Sequence, residues 1–174
     1  MPAIRLATAA DAERLSNFAV EAFRDTYGEH NNPDNMKRYV TSTFTAEQQA
    51  AAIMDARGAV LLAEHTDDAG LVQLMGYAHL ASSAPPPGVG PAPVELKRLY
   101  VGRQWHGQGV AQVLMDATLD AARMRGAQTL WLGVWERNLR AIAFYAKYSF
   151  ARVGELSFVL GDDVQRDWLL ARPL

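Results

Sequence analysis

Leu99-Tyr100-Val101-Gly102-Arg103-Gln104-Trp105-His106-Gly107-Gln108-Gly109-Val110-Ala111 is an apolar run that enters a bend holding two closely spaced glycines. A helical pattern starts at once: Val110, Val113, Leu114, Ala117, Ala121 and Met124 form one stripe, and Gly126 stops it after Arg125. A helix entered this way has unpaired N–H groups at the positive end of its dipole, which favours an anion. Glycine lets the backbone come close to a phosphate with no Cβ between them. A plain strand-to-helix connection without a ligand fits the two glycines equally well. Two other phosphate binders fit poorly. A Walker A loop needs Gly-Lys-Ser/Thr where Gly109 is followed by Val110 and Ala111, and a dinucleotide fingerprint needs Gly or Ala where Gln112 stands.

Upstream, the spacing predicts a strand over Val94–Val101, with Leu96, Arg98 and Tyr100 on one face and Glu95, Lys97, Leu99 and Val101 on the other. Before it lie the proline- and glycine-rich loop Ser82–Pro93 and two apolar runs, Ala59–Glu64 and Leu71–Leu80, predicted to pair antiparallel across Thr66–Gly70. Nearer the start, Thr8 and Asp11 have capping-box spacing before a helix that buries Leu15, Phe18, Ala19 and Ala22. Asn32-Pro33-Asp34 breaks the chain. A second helix is predicted from Asp34 to about Phe44, with Met36, Tyr39 and Val40 inward. A third opens at a second capping box, Thr45 to Gln48, and ends near Gly58.

Downstream come a strand over Thr129–Trp135, a helix capped by Asn138 with Leu139, Ile142, Ala143 and Ala146 toward the core, and a hairpin of Ala151–Leu160 and Arg166–Ala171. Gly133, between Trp131 and Trp135 on one strand face, marks either a close ligand approach or a β-bulge. The expected fold is α/β: a mixed, mostly antiparallel central sheet flanked by helices.

The 174 residues suit a single domain, 1–174, and a hydrophobic share of 49% supplies a sizeable core. A net charge of −2 gives no global field toward nucleic acid or an anionic membrane. The absence of cysteine excludes disulfides, thiolate metal sites and a cysteine nucleophile. His30, His65, His79 and His106 are scattered without ligand spacing, so no metal is expected. No apolar run is long enough to span a bilayer and the N-terminus lacks a signal-peptide core, so the expected location is cytoplasmic.

The spacing Gln104-x-x-Gly107-x-Gly109 after Leu-Tyr-Val resembles the acetyl-CoA loop of the GNAT acyltransferase superfamily. Trp131-Leu132-Gly133-Val134-Trp135-Glu136, Asn138 and Ala143-Phe144-Tyr145-Ala146-Lys147-Tyr148-Ser149-Phe150 follow at that superfamily's distances, and the element order is similar along nearly the whole chain. Ser149 departs from the family's usual Gly, which bears on how the last helix ends. The resemblance implies an N-acetyltransferase with acetyl-CoA as co-substrate, no metal, and direct attack by an amine in a ternary complex. It implies that N–H groups from Gln104 through Ala111, including those of His106, Gly107, Gln108, Gly109 and Val110, hold the pyrophosphate. Leu99, Tyr100 and Val101 would pair with the pantetheine arm, and the Val101 N–H would polarise the thioester carbonyl.

Asn138 and Tyr145 lie two helical turns apart, about 10 Å along the axis, and can share a cofactor-facing side. By the same resemblance Tyr145 protonates the departing thiolate. An amine with a pKa near 10 also needs a base, and Glu95 is the candidate, although a strand Glu beside Lys97 also fits a plain solvated face. The closest branch is that of the bacterial spermidine/spermine N-acetyltransferases, carried by Phe23–Tyr27, Asn32–Met36 with Tyr39, Trp131–Glu136, and Ser157-Phe158, Gly161-Asp162, Gln165 and Asp167. Tyr27, Asp25, Glu29 and Trp135 are therefore the expected substrate-binding residues for a small-molecule amine, a polyamine among the possibilities. Asp25 and Glu29, with Glu21 and Asp34, equally fit an ordinary charged helix face. A peptide N-terminus or amino-sugar drug as acceptor, a non-catalytic acyl-CoA sensor and a nucleotide-binding module remain alternatives, and a homodimer stays open.

Overall fold

The computed structural model describes residues 2–174. Its strands are β1 (Ala3–Leu6), β2 (Ala59–Thr66), β3 (Val72–Ala81), β4 (Pro93–Val101), β5 (Thr129–Trp135), β6 (Ala151–Leu160) and β7 (Asp163–Pro173). They form one sheet in the order β1-β2-β3-β4-β5-β7-β6, antiparallel throughout except for the parallel pair β4 and β5. This is the mixed, mostly antiparallel sheet that the pattern predicts. The edge strand β1 was not predicted, because four residues are too few to show an alternation.

Helices cover both faces. One carries α1 (Ala12–Tyr27) and α2 (Pro33–Thr43), whose Leu15, Phe23, Met36 and Val40 pack on Leu62 and Tyr77 of the sheet. α3 (Ala46–Met54) follows them in the chain. The other face carries α4 (Val110–Met124) and α5 (Leu139–Lys147); Leu114, Met115 and Ala122 of α4 pack on Leu80, Leu130 and Leu132. Local chemistry sets the helix starts. Asn32 Oδ1 accepts from the Asp34 N–H (2.9 Å), with Pro33 in the first turn. Thr45 Oγ1 accepts from the Gln48 N–H, but the Gln48 amide donates to the Ser42 carbonyl (2.9 Å) instead of closing the expected box. Asp11 accepts from the Thr8 N–H (2.8 Å) as a box requires, and also from Arg5 (2.7 and 2.8 Å), which bonds Glu64 of β2 as well. The Arg5 hydrogen bonds hold the Asp11 carboxyl well below the usual carboxylate range. Its stabilising contribution is present above the unfolded pKa near 4 and is lost only as pH falls toward the lower folded value.

Two expected faces are corrected. On α5, Leu139 is 71% exposed, and Ala143 and Ala146 are also outside; the buried residue is Tyr145, with Ala141, Ile142 and Phe144 half-buried. Turning Phe144 and Tyr145 inward covers far more apolar area than two alanine methyls would. On β4, the pairing with β3 runs His79 to Arg98 and then Leu80 to Leu96, so Lys97 is an extra, unpaired residue. Such a bulge reverses the alternation. Leu96 thus joins Leu99 and Val101 in the α4-side core, and Glu95 falls on the Arg98 and Tyr100 side, not with Val101 as expected.

α5 ends in a Schellman turn: the Phe150 N–H donates to the Tyr145 carbonyl (3.2 Å) and the Ser149 N–H to the Ala146 carbonyl (3.0 Å). Ser149 holds the left-handed position with φ +61°. The exit geometry is therefore kept with a side chain in place, at a cost of about 1–2 kcal/mol. Ser149→Gly is expected to raise stability by about 1 kcal/mol, after the entropy glycine loses on folding, and the melting temperature by about 2–4 °C. Calorimetry of the two proteins checks this.

Candidate active site

β4 and β5 pair only over Pro93–Glu95 and Thr129–Trp131, then part. Beyond that point each strand has an open backbone edge facing the other. The Gly102 N–H donates to the Met75 carbonyl (2.8 Å), which sets the phase of the β3 and β4 ladder. Tyr100 exchanges bonds with Tyr77, while Leu99 and Val101 turn their N–H and C=O groups away from β3 and into the gap. The Val101 carbonyl meets His106 Nε2 at 2.9 Å. The Val101 N–H and both Leu99 groups remain for a ligand that pairs like a strand.

A cavity of about 270 Å³ fills the gap on the α4 and α5 side. All the residues expected to hold a cofactor line it, from Leu99, Tyr100 and Val101 to Asn138 and Tyr145, except Gln104 and Gln108. Those two brace the bend: Gln108 Nε2 donates to the Gln104 carbonyl (2.8 Å). Arg103–Trp105 forms one 3₁₀ turn that uses the N–H groups of Trp105 and His106 (2.8 and 3.2 Å to the carbonyls of Gly102 and Arg103). From Gly107 through Gln112 the N–H groups make no hydrogen bond of ordinary length and angle among the described residues. The turn thus takes Trp105 and His106 out of the expected Gln104–Ala111 row, and Gln112 extends it at the far end. Gly107 (φ +76°) and Gly109 (φ +81°) occupy left-handed backbone that lets these amides converge.

Arg140 of α5 places Nη1 2.9 Å from His106 Nδ1 and brings a cation to this cavity. Sequence reading missed it; its place two residues after the cap was the available signal. With these partners, His106 carries its proton on Nε2. Asn138 Oδ1 caps α5 through the Ala141 N–H (3.2 Å) and also lines the cavity, so its two readings coexist. Tyr145 packs its ring against Phe150 and Phe144 (centroids 5.5 and 5.6 Å), and burial pushes its phenol above the ordinary value, so it keeps its proton at neutral pH.

A second cavity, of about 300 Å³, opens on the α1 and α2 side. Tyr27, Lys97, Arg98, Tyr100 and Gly133 border both, so the two meet where the strands part. Its walls are aromatic: Phe23, Tyr39, Phe44, Trp135 and Phe158. Of the expected substrate residues, Tyr27 and Trp135 line it, with ring centroids 6.0 Å apart. Asp25 and Glu29 are exposed and do not border it. Phe23 and Tyr27 point inward one turn apart, which turns Asp25 outward.

The charges that do line it are Glu95, Lys97, Arg98 and Asp167. Glu95 accepts from the Ser83 hydroxyl. Asp167 was not among the expected site residues. Its Oδ1 is buried without a hydrogen-bond partner, and burial, with Glu136 nearby, raises its carboxyl to about 6. The available signal was the β7 alternation Gln165, Asp167, Leu169, Ala171, an acid on a face that turns apolar. Gly133 is not a bulge, since β5 and β7 pair without a shift. A Cβ there would stand 3.3 Å from Leu156 Cδ1 and 3.4 Å from Asp167 Oδ2, so its missing side chain keeps room beside the carboxylate.

The sequence model of the acetyltransferase (GNAT) family matches residues 15–150. An uncharacterized N-acetyltransferase of Lactobacillus delbrueckii subsp. lactis is 32% identical over 155 residues, 88% of this chain and 87% of that one. A "probable spermine N(1)-acetyltransferase" of Bacillus subtilis subsp. natto is 27% identical over only 66 residues, 37% of this chain and 43% of that one. The PaiA N-acetyltransferase of Thermoplasma acidophilum, solved in complex with coenzyme A, superposes with a TM-score of 0.76 at 19% identity, over 100% of this chain and 99% of that one.

Proposed function

The chain belongs to the GNAT family of N-acetyltransferases, and on that premise we propose that it carries an acetyl group from acetyl-CoA to a primary amine by direct attack, with residues 1–174 acting as one transferase domain. The observation that carries this reading is the row of free N–H groups from Gly107 to Gln112 beside the unpaired edge of β4, leading to Tyr145. The fit is chemical. Converging amides at a helix N-terminus, with Arg140 near them, suit a pyrophosphate. Leu99 and Val101 offer strand-like partners to an amide-containing arm. Acetyl-CoA supplies a thioester as acyl donor. The Val101 N–H is a donor for the carbonyl oxygen as negative charge develops there, commonly worth about 3 kcal/mol. Tyr145 holds a proton for the leaving thiolate.

For the acceptor we carry the polyamine reading. Its supports are the motif set of the spermidine/spermine branch, the short likeness to a spermine acetyltransferase, and an aromatic cavity holding two carboxylates. Acetyl-CoA and CoA should raise the melting temperature, and NADH and ATP should not; a response to the latter pair alone would reject the transferase reading. Steady-state rates should then favour spermidine over amino acids, aminoglycosides and peptide N-termini. A flat spermidine response beside an active alternative rejects the polyamine.

A further inference from the structure

We propose that Asp167 receives the ammonium of the acceptor and removes its proton before attack. The inference rests on the transferase reading and names the base within it. Three observations carry it. Asp167 lines the acceptor-side cavity, where one of its oxygens is buried and unpartnered. Gly133, on the strand beside it, leaves a space that a methyl group would begin to close.

Height along the strands is the third. β4 and β5 run in parallel register with Glu95 beside Trp131, and the extra residue Lys97 brings Tyr100 level with Trp135, which pairs with Asp167. Asp167 therefore stands at the height of the Val101 amide, the donor that would hold the acyl carbonyl on the transferase reading. Glu95 sits four paired positions lower, about 13 Å along the strand at 3.3 Å per residue, at the closed end of the gap.

The surroundings fit a cation. Rings of Tyr27, Tyr39 and Trp135 border the same space, and an ammonium against aromatic faces and one carboxylate is well held. The titratable and charged groups around Asp167 are Tyr27 from α1, Tyr39 from α2, Glu136 at the end of β5, and Glu95, Lys97, Arg98 and Tyr100 from β4; β6 lines the cavity with Leu156, Ser157, Phe158 and Leu160, none of them charged. No basic side chain forms an ion pair with Asp167 among the described residues. Its carboxyl, lifted to about 6, is ionised at neutral pH yet far more basic than an ordinary aspartate.

The step balances. One ammonium proton passes to Asp167 and on to solvent, and the freed lone pair forms the C–N bond as the C–S bond breaks. The thiolate takes the Tyr145 proton, and the phenolate regains one from the acylated nitrogen, leaving amide, thiol and one released proton.

The test compares wild type, Asp167→Asn and Glu95→Gln with acetyl-CoA and a panel of spermidine, n-butylamine and phenylethylamine. In the wild type, kcat/KM should rise with pH through about 6. Asp167→Asn should lower it at pH 7 by about 100-fold or more and abolish that rise, with acetyl-CoA Kd within about twofold. Glu95→Gln should keep the rise whatever its rate. A rise lost in Glu95→Gln, or an Asp167→Asn rate within about threefold of wild type, overturns the assignment. Should no panel amine turn over, n-butylammonium should raise the melting temperature of the CoA-loaded wild type and not of Asp167→Asn, and an equal response, or none in either, overturns it. A wild type that fails to bind acetyl-CoA would instead remove the transferase reading itself.

Discussion

Tyr145→Phe is expected to lower kcat by about 100-fold or more while shifting acetyl-CoA Kd by less than about twofold. The substitution keeps the ring that packs on Phe144 and Phe150 and removes only the hydroxyl. Burial raises the phenol, so no phenolate is present at neutral pH and the proton is always available. The same low-polarity surroundings destabilise a bare thiolate, whose ordinary pKa is near 8.5, and so maintain the drive for transfer as the C–S bond breaks. Binding is spared because the phosphate cradle and the β4 edge lie on other elements. Release of CoA, followed by thiol titration, gives kcat, and calorimetric titration gives Kd. Equal turnover in the two proteins would end the acid role.

Gly109→Val should weaken acetyl-CoA binding by about 100-fold and lower the melting temperature by several degrees. A Cβ at this position would meet nothing within 4 Å, so crowding is not the cause. The damage comes through φ, which stands at +81° where a β-branched residue is strongly disfavoured. Relief of that strain rotates the peptide groups of the bend and turns amides away from the anion. Loss of one or two hydrogen bonds to a charged partner, each about 1.5–3 kcal/mol, accounts for the factor. Calorimetric titration checks it, and an unchanged Kd would mean that this bend does not hold the phosphates.

The parts of the fold that were legible in the sequence are those set by local chemistry. Asn32, Thr45 and Asn138 begin helices where their side chains satisfy free N–H groups, and the glycine bend begins α4. What stayed hidden depends on partners distant in the chain. The extra residue at Lys97 is visible only against β3, so strict alternation put Glu95 on the wrong side. α5 is too short for its periodicity to choose between a stripe of alanines and one of aromatics, and packing chose the latter. Asp167 looks like an ordinary polar strand residue until Gly133 and Leu156 are set beside it. Asp25 and Glu29 looked placed for a cation because they cluster with Glu21 and Asp34 in the N-terminal region, yet both stand exposed to solvent.

The parting of β4 and β5 divides ownership of the two cavities. Apart from Thr26 and Tyr27, the donor-side cavity is drawn from the continuous stretch between Leu96 and Tyr145. Much of the acceptor-side wall comes from two remote stretches, Phe23–Phe44 and Leu156–Asp167, stitched together by Arg38 to Asp162 (2.9 Å) and by Gln165 to Asn31. Descent with modification can therefore rework what is acetylated by editing those two stretches as a matched pair, leaving the acyl-delivery half intact. A swap of one stretch without its mate would break the stitches, so relatives with different appetites should differ in both places together.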